Sequence, residues 1–154
     1  MPIDNSMFEF ARDMKEKMCW VAIDFEHVLG SPDPLSDEEK SYELPDGTII
    51  QIDHHCRYNA SEILFQPKLN GVDSYGIAEL AFDSIEKCDE DLKHDLYNNI
   101  VVTGGTSLIP GYKERLERDI KIQAQNVTDI DRIRVYTDSH RKYATWIGKW
   151  AMSE

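Results

Sequence analysis

Long hydrophobic runs, basic charge and cysteine are all scarce in this sequence. No apolar stretch approaches the roughly 20 residues that a membrane-spanning helix needs, so nothing in the pattern points to a bilayer. The chain has 17 Lys and Arg against 29 Asp and Glu, a formal net charge of -12. Phosphate backbones are repelled by such a surface except at a local basic spot, which argues against nucleic acid as a partner and suits cationic or mixed-charge ones. The cysteines are Cys19, Cys56 and Cys88, an odd number at no metal-ligand spacing, and they read as free thiols in a reducing compartment. The opening Met1-Pro2-Ile3-Asp4-Asn5 lacks the basic and apolar pattern of a secretory leader, so none is expected. Asn59-Ala60-Ser61 and Asn126-Val127-Thr128 match the glycosylation sequon, but read as chance matches in a cytosolic chain. There is no internal repeat and no low-complexity segment. What remains is ordinary globular material: 154 residues, 41% hydrophobic and 30% charged, enough for one domain with a core or two small lobes.

The stretch that organises the chain is Ile100-Val101-Val102-Thr103-Gly104-Gly105-Thr106-Ser107-Leu108-Ile109-Pro110-Gly111. An apolar run bounded by turn residues reads as a buried interior strand. Gly104 and Gly105 let the backbone approach another group closely, and Thr106 and Ser107 supply donors beside them. Such a turn at the carboxyl edge of an α/β sheet is where these sheets bind ligands. By themselves, two glycines in a turn are more often only a turn.

The rest of the chain divides as follows. Ser6 to Phe25 reads as one amphipathic helix, opened by a Ser6–Glu9 capping box and carrying Met7, Phe10, Ala11, Met14, Met18, Val21, Ala22 and Phe25 on one face. Leu29 to Lys40 reads as a solvated loop broken by Pro32 and Pro34. Tyr42–Leu44 and Thr48–Ile52 flank Pro45-Asp46-Gly47, a β-hairpin pattern. His54 and His55 follow. As neighbours on a strand they would face opposite ways, with no carboxylate pair at a useful spacing, so no metal site is expected there. Asn59 is expected to cap a short helix ending before Pro67, with a loop from Leu69 to Tyr75. Helices are expected at Ile77–Lys87 and Glu90–Asn98. Then come the opening strand, a helix from Tyr112 to about Gln123, and a strand Arg132–Tyr136. This is a βαβ unit with parallel strands and a right-handed crossover. A helix from His140 to Met152, with Trp146 and Trp150, closes the chain.

Several stretches are familiar together. They are Arg12-Asp13-Met14-Lys15-Glu16-Lys17, Lys40 to Gly47, Leu64-Phe65-Gln66-Pro67, Phe82-Asp83-Ser84-Ile85, Lys87-Cys88-Asp89, Gly104-Gly105-Thr106, and Arg141-Lys142-Tyr143 with Trp146-Ile147-Gly148. In this order they resemble actin from about Phe8 to Gly148. The resemblance covers less than half of an actin: most of the lobe called subdomain four and part of subdomain three. It implies an α/β protein, an α+β lobe plus a βαβ unit, as a partial actin-like ATPase or ribonuclease H-like fold. The expected division is 1–68, a subdomain-four-like helical lobe with a hairpin, and 69–154, a partial subdomain-three-like lobe with a C-terminal helix.

Carried over by position, the resemblance assigns Lys15 and Glu16 to the adenine side of a nucleotide cleft. Gly104, Gly105, Thr106, Ser107 and Leu108 become the loop approaching the sugar and phosphates, and Lys142 packs near the adenine. The implied cofactor is ATP, bound weakly at most. The two phosphate-wrapping hairpins of the family have no counterpart here, so neither a catalytic residue nor a magnesium ligand is assigned and no hydrolysis is expected. Lys149 stands where the family has a second glycine after Trp-Ile-Gly, and the segments Leu29–Leu35 and His54–Asn59 also depart from the pattern. The strands that would precede Ile100 in the sheet are missing, leaving an apolar edge that invites pairing with another chain. The expectation is therefore a shortened, actin-like cytoskeletal protein of the cytoplasm, non-enzymatic, with actin or actin-like subunits and actin-binding proteins as partners. The alternatives are an actin-binding or filament-capping interaction module, and a fragment of a full actin-type ATPase.

Overall fold

The computed structural model describes residues 5–30, 40–126 and 129–151. Helix α1 spans Asn5–Met18. The expected continuation to Phe25 does not occur: the chain leaves the helix at Cys19, runs as an irregular strap to Asp24, and re-enters helix as α2, Phe25–Gly30. The strap's backbone groups find partners elsewhere. The Trp20 N–H donates to the Arg57 carbonyl at 3.3 Å and the Val21 N–H to the Pro110 carbonyl at 2.8 Å. The helical spacing of Val21, Ala22 and Phe25 therefore reflects burial in two clusters rather than one helix face: Val21 joins the main core, Ala22 and Phe25 a smaller one with Tyr58. Most of the expected 29–40 loop, and the side chains of Ser6 and Trp150, lie outside the described residues.

Strands β1 (Lys40–Glu43) and β2 (Ile49–Ile52) form the expected antiparallel hairpin, with Tyr42 opposite Ile50. In its turn the Thr48 N–H donates to the Asp46 carboxylate at 2.9 Å. The hairpin hangs on α1 through Tyr42, whose hydroxyl donates to Asp13 Oδ2 at 2.5 Å. Lys17 donates to the same oxygen at 2.7 Å, and these two bonds, that of Lys17 first, hold the Asp13 carboxyl below the ordinary range.

The next segment departs from the expectation. His54 and His55 are not on a strand but open helix α3, His54–Glu62. Asp53 is its cap: its carboxylate accepts the His55 N–H at 2.5 Å, which satisfies an otherwise unpaired donor of the first turn. Asn59, expected as the cap, lies inside the helix. A single 3-10 turn, Pro67–Asn70, follows.

Helices α4 (Ile77–Glu86) and α5 (Glu90–Asn98) fall where the sequence puts them. Strand β3 (Ile100–Val102), helix α6 (Tyr112–Ala124) and strand β4 (Val135–Thr137) complete the βαβ unit, with parallel strands and Ile100 opposite Val135. β4 starts three residues later than expected. Ile130–Arg132 is a 3-10 turn, Ile133 is fully buried, and the Arg134 N–H donates to the Tyr97 carbonyl, so the ladder begins only at Val135. The expected C-terminal helix is a 3-10 turn, Arg141–Tyr143, followed by α7, Ala144–Ala151.

The main core lies between α4, α6 and the inner face of the sheet, with Ala78, Ile85, Leu116, Ile120, Ile133 and Val135 buried in it. Val21 and Phe65 join it from the first part of the chain. The other face of the sheet is open. Val101 and Tyr136, partners across the ladder, are 69% and 49% exposed. The reading of Ile100–Val102 as a fully buried run is thus corrected: one face is covered, although parallel sheets normally cover both.

Candidate functional site

Beyond β3 the chain turns at Gly104, whose φ of +97° is strained for any residue with a Cβ. Its N–H donates to the Arg141 carbonyl at 2.9 Å. A 3-10 turn, Gly105–Leu108, follows. Ser107 is buried beneath it, with Oγ donating to the Gly104 carbonyl at 2.7 Å. Arg141 clamps this turn from behind. Its Nε donates to Ser107 Oγ at 3.1 Å and its Nη2 to the Ser107 carbonyl at 3.0 Å. Gly104 and Ser107 therefore shape the loop and do not line its outer surface.

The loop is tied to the strap behind α1. The bond from Val21 N–H to the Pro110 carbonyl requires the two backbones to touch. A Cβ on Gly111 would lie 2.3 Å from the Val21 carbonyl oxygen, and Gly111 also has φ +83°. This contact holds the end of α1 over the loop.

Between them is a cleft of about 290 Å3 lined by Lys15 and Glu16 of α1, by Gly105, Thr106, Leu108 and Ile109 of the loop, and by Lys142. Its size is at the lower end of small-molecule sites, roughly 300–1,000 Å3. Three stretches far apart in sequence thus meet, and they include every expected site residue except Gly104 and Ser107. The aliphatic stem of Lys142 lies along Gly105, its Cγ 3.7 Å from where a Gly105 Cβ would stand. Its ammonium sits 5.9 Å from the centre of the Tyr143 ring. Among the described residues neither Lys15 nor Lys142 has a carboxylate within ion-pair distance, so two cations face one carboxylate, Glu16, across an open cleft. Burial pushes the neighbouring Cys19 thiol up, against the pull of Lys15 and Arg57.

The family model described as Actin matches residues 4–152. The chain belongs to the actin family. An actin-family cleft implies an adenine nucleotide, and the side chains here fit its nucleoside end. Two lysines line the cleft, the stem of Lys142 lies along Cβ-free Gly105, and apolar Leu108 and Ile109 complete the lining. They fit a dedicated divalent-cation site poorly, since among the described residues Glu16 is the one carboxylate in the lining. Among the described residues there is also no group of three His, Cys, Asp or Glu side chains placed to hold a metal.

Sequence reasoning missed a buried ion-pair network behind this cleft. Arg115 on α6 is buried and donates to both carboxylate oxygens of buried Glu62, at 3.0 and 2.7 Å. It also donates to the Ala22 carbonyl at 2.6 Å and to Asp119 Oδ2 at 2.6 Å. Arg118 donates to the Ile23 carbonyl at 2.7 Å and to the Asp24 carboxylate at 2.9 Å. Burial opposes charge on both Arg115 and Glu62. It pushes the Glu62 carboxyl above the ordinary range, while the bonds to Glu62 and Asp119 hold Arg115 charged. A signal was available: Arg115 and Asp119 sit four apart within the stripe of Tyr112, Leu116 and Ile120, where a charge must bring its own partner.

Proposed function

We propose that this actin-like protein retains one side of an adenine-nucleotide cleft, binds ATP there weakly and does not hydrolyse it. On this reading the fold is a partial actin-like ATPase, ribonuclease H-like in descent. The convergence of Lys15, Glu16, Gly105, Thr106, Leu108 and Lys142 on one cleft carries the proposal. Lys15 and Lys142 frame the purine with their stems and charges, while the loop admits the sugar and phosphates beside Gly105. Phosphoryl transfer requires groups that neutralise the γ-phosphate and orient the attacking water. The lining offers two lysines and a single carboxylate on the base side, so magnesium arrives with the nucleotide's own phosphates and stays with them.

Isothermal titration of the chain with Mg-ATP tests this. Binding is expected, and Lys15→Ala or Lys142→Ala should each weaken it by about tenfold, the loss of one charged partner. In a phosphate-release assay the parent should stay at the level of buffer. Release that disappears in Lys15→Ala would overturn the non-hydrolytic part of the reading.

A second reading concerns partners. Family membership points to contacts with actin-like subunits, and the open sheet face at Val101 and Tyr136 favours association, as does exposed Trp146. The protein is then a cytoplasmic, cytoskeletal chain that docks on actin or a related assembly. Sedimentation velocity should show association that rises with concentration and is suppressed by Val101→Lys; a monodisperse monomer at every concentration would contradict it.

A further inference from the structure

The strap between α1 and α2 carries no cleft residue, yet it fixes where α1 stands. Its anchors come from both sides. On the α3 side Arg57 Nε donates to the Met18 carbonyl at 2.9 Å, and Ser61 Oγ donates to the Trp20 carbonyl at 2.5 Å. On the α6 side are the Val21 N–H bond to Pro110, the Arg115 bond to the Ala22 carbonyl and the Arg118 bond to the Ile23 carbonyl. Lys15 and Glu16 lie one helical turn before this strap, and the Lys15 carbonyl accepts the Cys19 N–H at 3.2 Å. Any displacement of the strap therefore moves the Lys15 side of the cleft relative to the Gly105–Ile109 side.

We infer that Arg115 is a positioning residue for the cleft: by joining Glu62 of α3, Ala22 of the strap and Asp119 of α6 through one planar guanidinium, it sets the distance between Lys15 and the loop. Arg115 is not among the residues lining the cleft, and its side chain reaches the α1 side through the Ala22 carbonyl of the strap. A guanidinium suits this role because its donors lie in a rigid plane, so the forked bond to Glu62 dictates where the remaining N–H groups point. One of those, on Nη1, reaches Ala22, next to the residue that bonds Pro110 at the end of the loop. A lysine would preserve the charge opposite Glu62 and lose the fork. The Phe65 ring, 5.0 Å from the guanidinium carbon, completes the setting by packing against its face.

The role in the nucleotide cleft rests on the reading above, so the test has an arm that does not. Trp20 lies in the strap, its ring 5.4 Å from that of His54 and 5.6 Å from that of Tyr58. In a background of Trp146→Phe and Trp150→Phe it is the sole tryptophan of the three in the chain and reports the strap's position. Glu62→Met combined with Arg115→Met replaces the buried pair by apolar volume, a change that typically leaves stability intact. Two results are expected in this variant at a melting midpoint close to the parent's. Trp20 emission shifts, and affinity for a fluorescent ATP analogue falls roughly tenfold as pre-organisation is lost. Arg115→Lys, which keeps the charge, should move both readouts in the same direction by less, and it serves if the apolar pair fails to fold. A folded variant with unchanged Trp20 emission and unchanged affinity would overturn the inference. A parent that binds no analogue would overturn the nucleotide reading instead, and the Trp20 emission would then decide the positioning role alone: a shift upholds it, and no shift removes it.

Discussion

Gly111→Ala is expected to lose about 3 kcal/mol or more of folding stability, among the larger effects of a single methyl group. Two causes add. The backbone at Gly111 has φ +83°, where a side chain costs roughly 1–2 kcal/mol. The new Cβ would also stand 2.3 Å from the Val21 carbonyl oxygen, closer than real Cβ atoms come, and what it meets is backbone that cannot rotate away. The strap must then separate from the loop and release the bond from Val21 to Pro110. Gly47→Ala is the control: its φ is +81°, but nothing lies within 4 Å of its Cβ position. Only the conformational part, about 1 kcal/mol, is expected there. Urea denaturation of the two variants measures the difference, which belongs to the close approach. Faster hydrogen exchange of the Val21 amide in Gly111→Ala should accompany it.

Arg115→Met alone should be still more damaging, by about 3–5 kcal/mol, because it leaves the Glu62 carboxylate buried without its partner. The loss depends on pH in a definite direction. Burial already holds the Glu62 carboxyl above its ordinary range, and removing Arg115 takes away the main group that lowers it. A carboxyl whose native pKa is raised binds its proton more tightly when folded. It therefore adds stability below the ordinary glutamate range, and that addition is lost as the pH rises through the native value. The stability gap between parent and Arg115→Met should thus narrow as the pH falls from neutral toward that range. In the pair of variants that also carry Glu62→Gln the pH dependence of the gap should disappear. A gap independent of pH would mean that Glu62 is not the group left stranded.

Much of this was legible in the chain, and the failures have physical reasons. The hairpin, α4, α5 and the βαβ unit rest on local signals: turn residues, apolar spacing and strand runs. The helix expected to reach Phe25 failed because apolar spacing records burial, and the strap between Met18 and Phe25 is buried by bonds to residues some 40 and 90 positions away. The Asp53 cap is hidden because the two histidines after it suit a strand as well as a helix. Only the family likeness brings Lys15, Glu16, the loop and Lys142 together in the sequence; no periodicity relates those stretches. The supports behind them, Arg115, Arg118, Glu62 and Arg141, were not found. A buried ion pair is a long-range fact, and its only local trace is a charge on an apolar stripe.

The proposed adenine-nucleotide site lies between Lys15, Lys142 and the Gly105 loop. A thermal melt of the full chain followed by circular dichroism, with and without Mg-ATP, tests it most directly. A ligand that binds only the folded state adds about 2.7 kcal/mol at 100 times its dissociation constant. For a domain of this size that raises the midpoint by roughly 5–10 °C. A cooperative transition that ATP moves upward is expected, with the shift lost in Lys15→Ala. A midpoint indifferent to millimolar ATP, or a shift that survives Lys15→Ala unchanged, would contradict it.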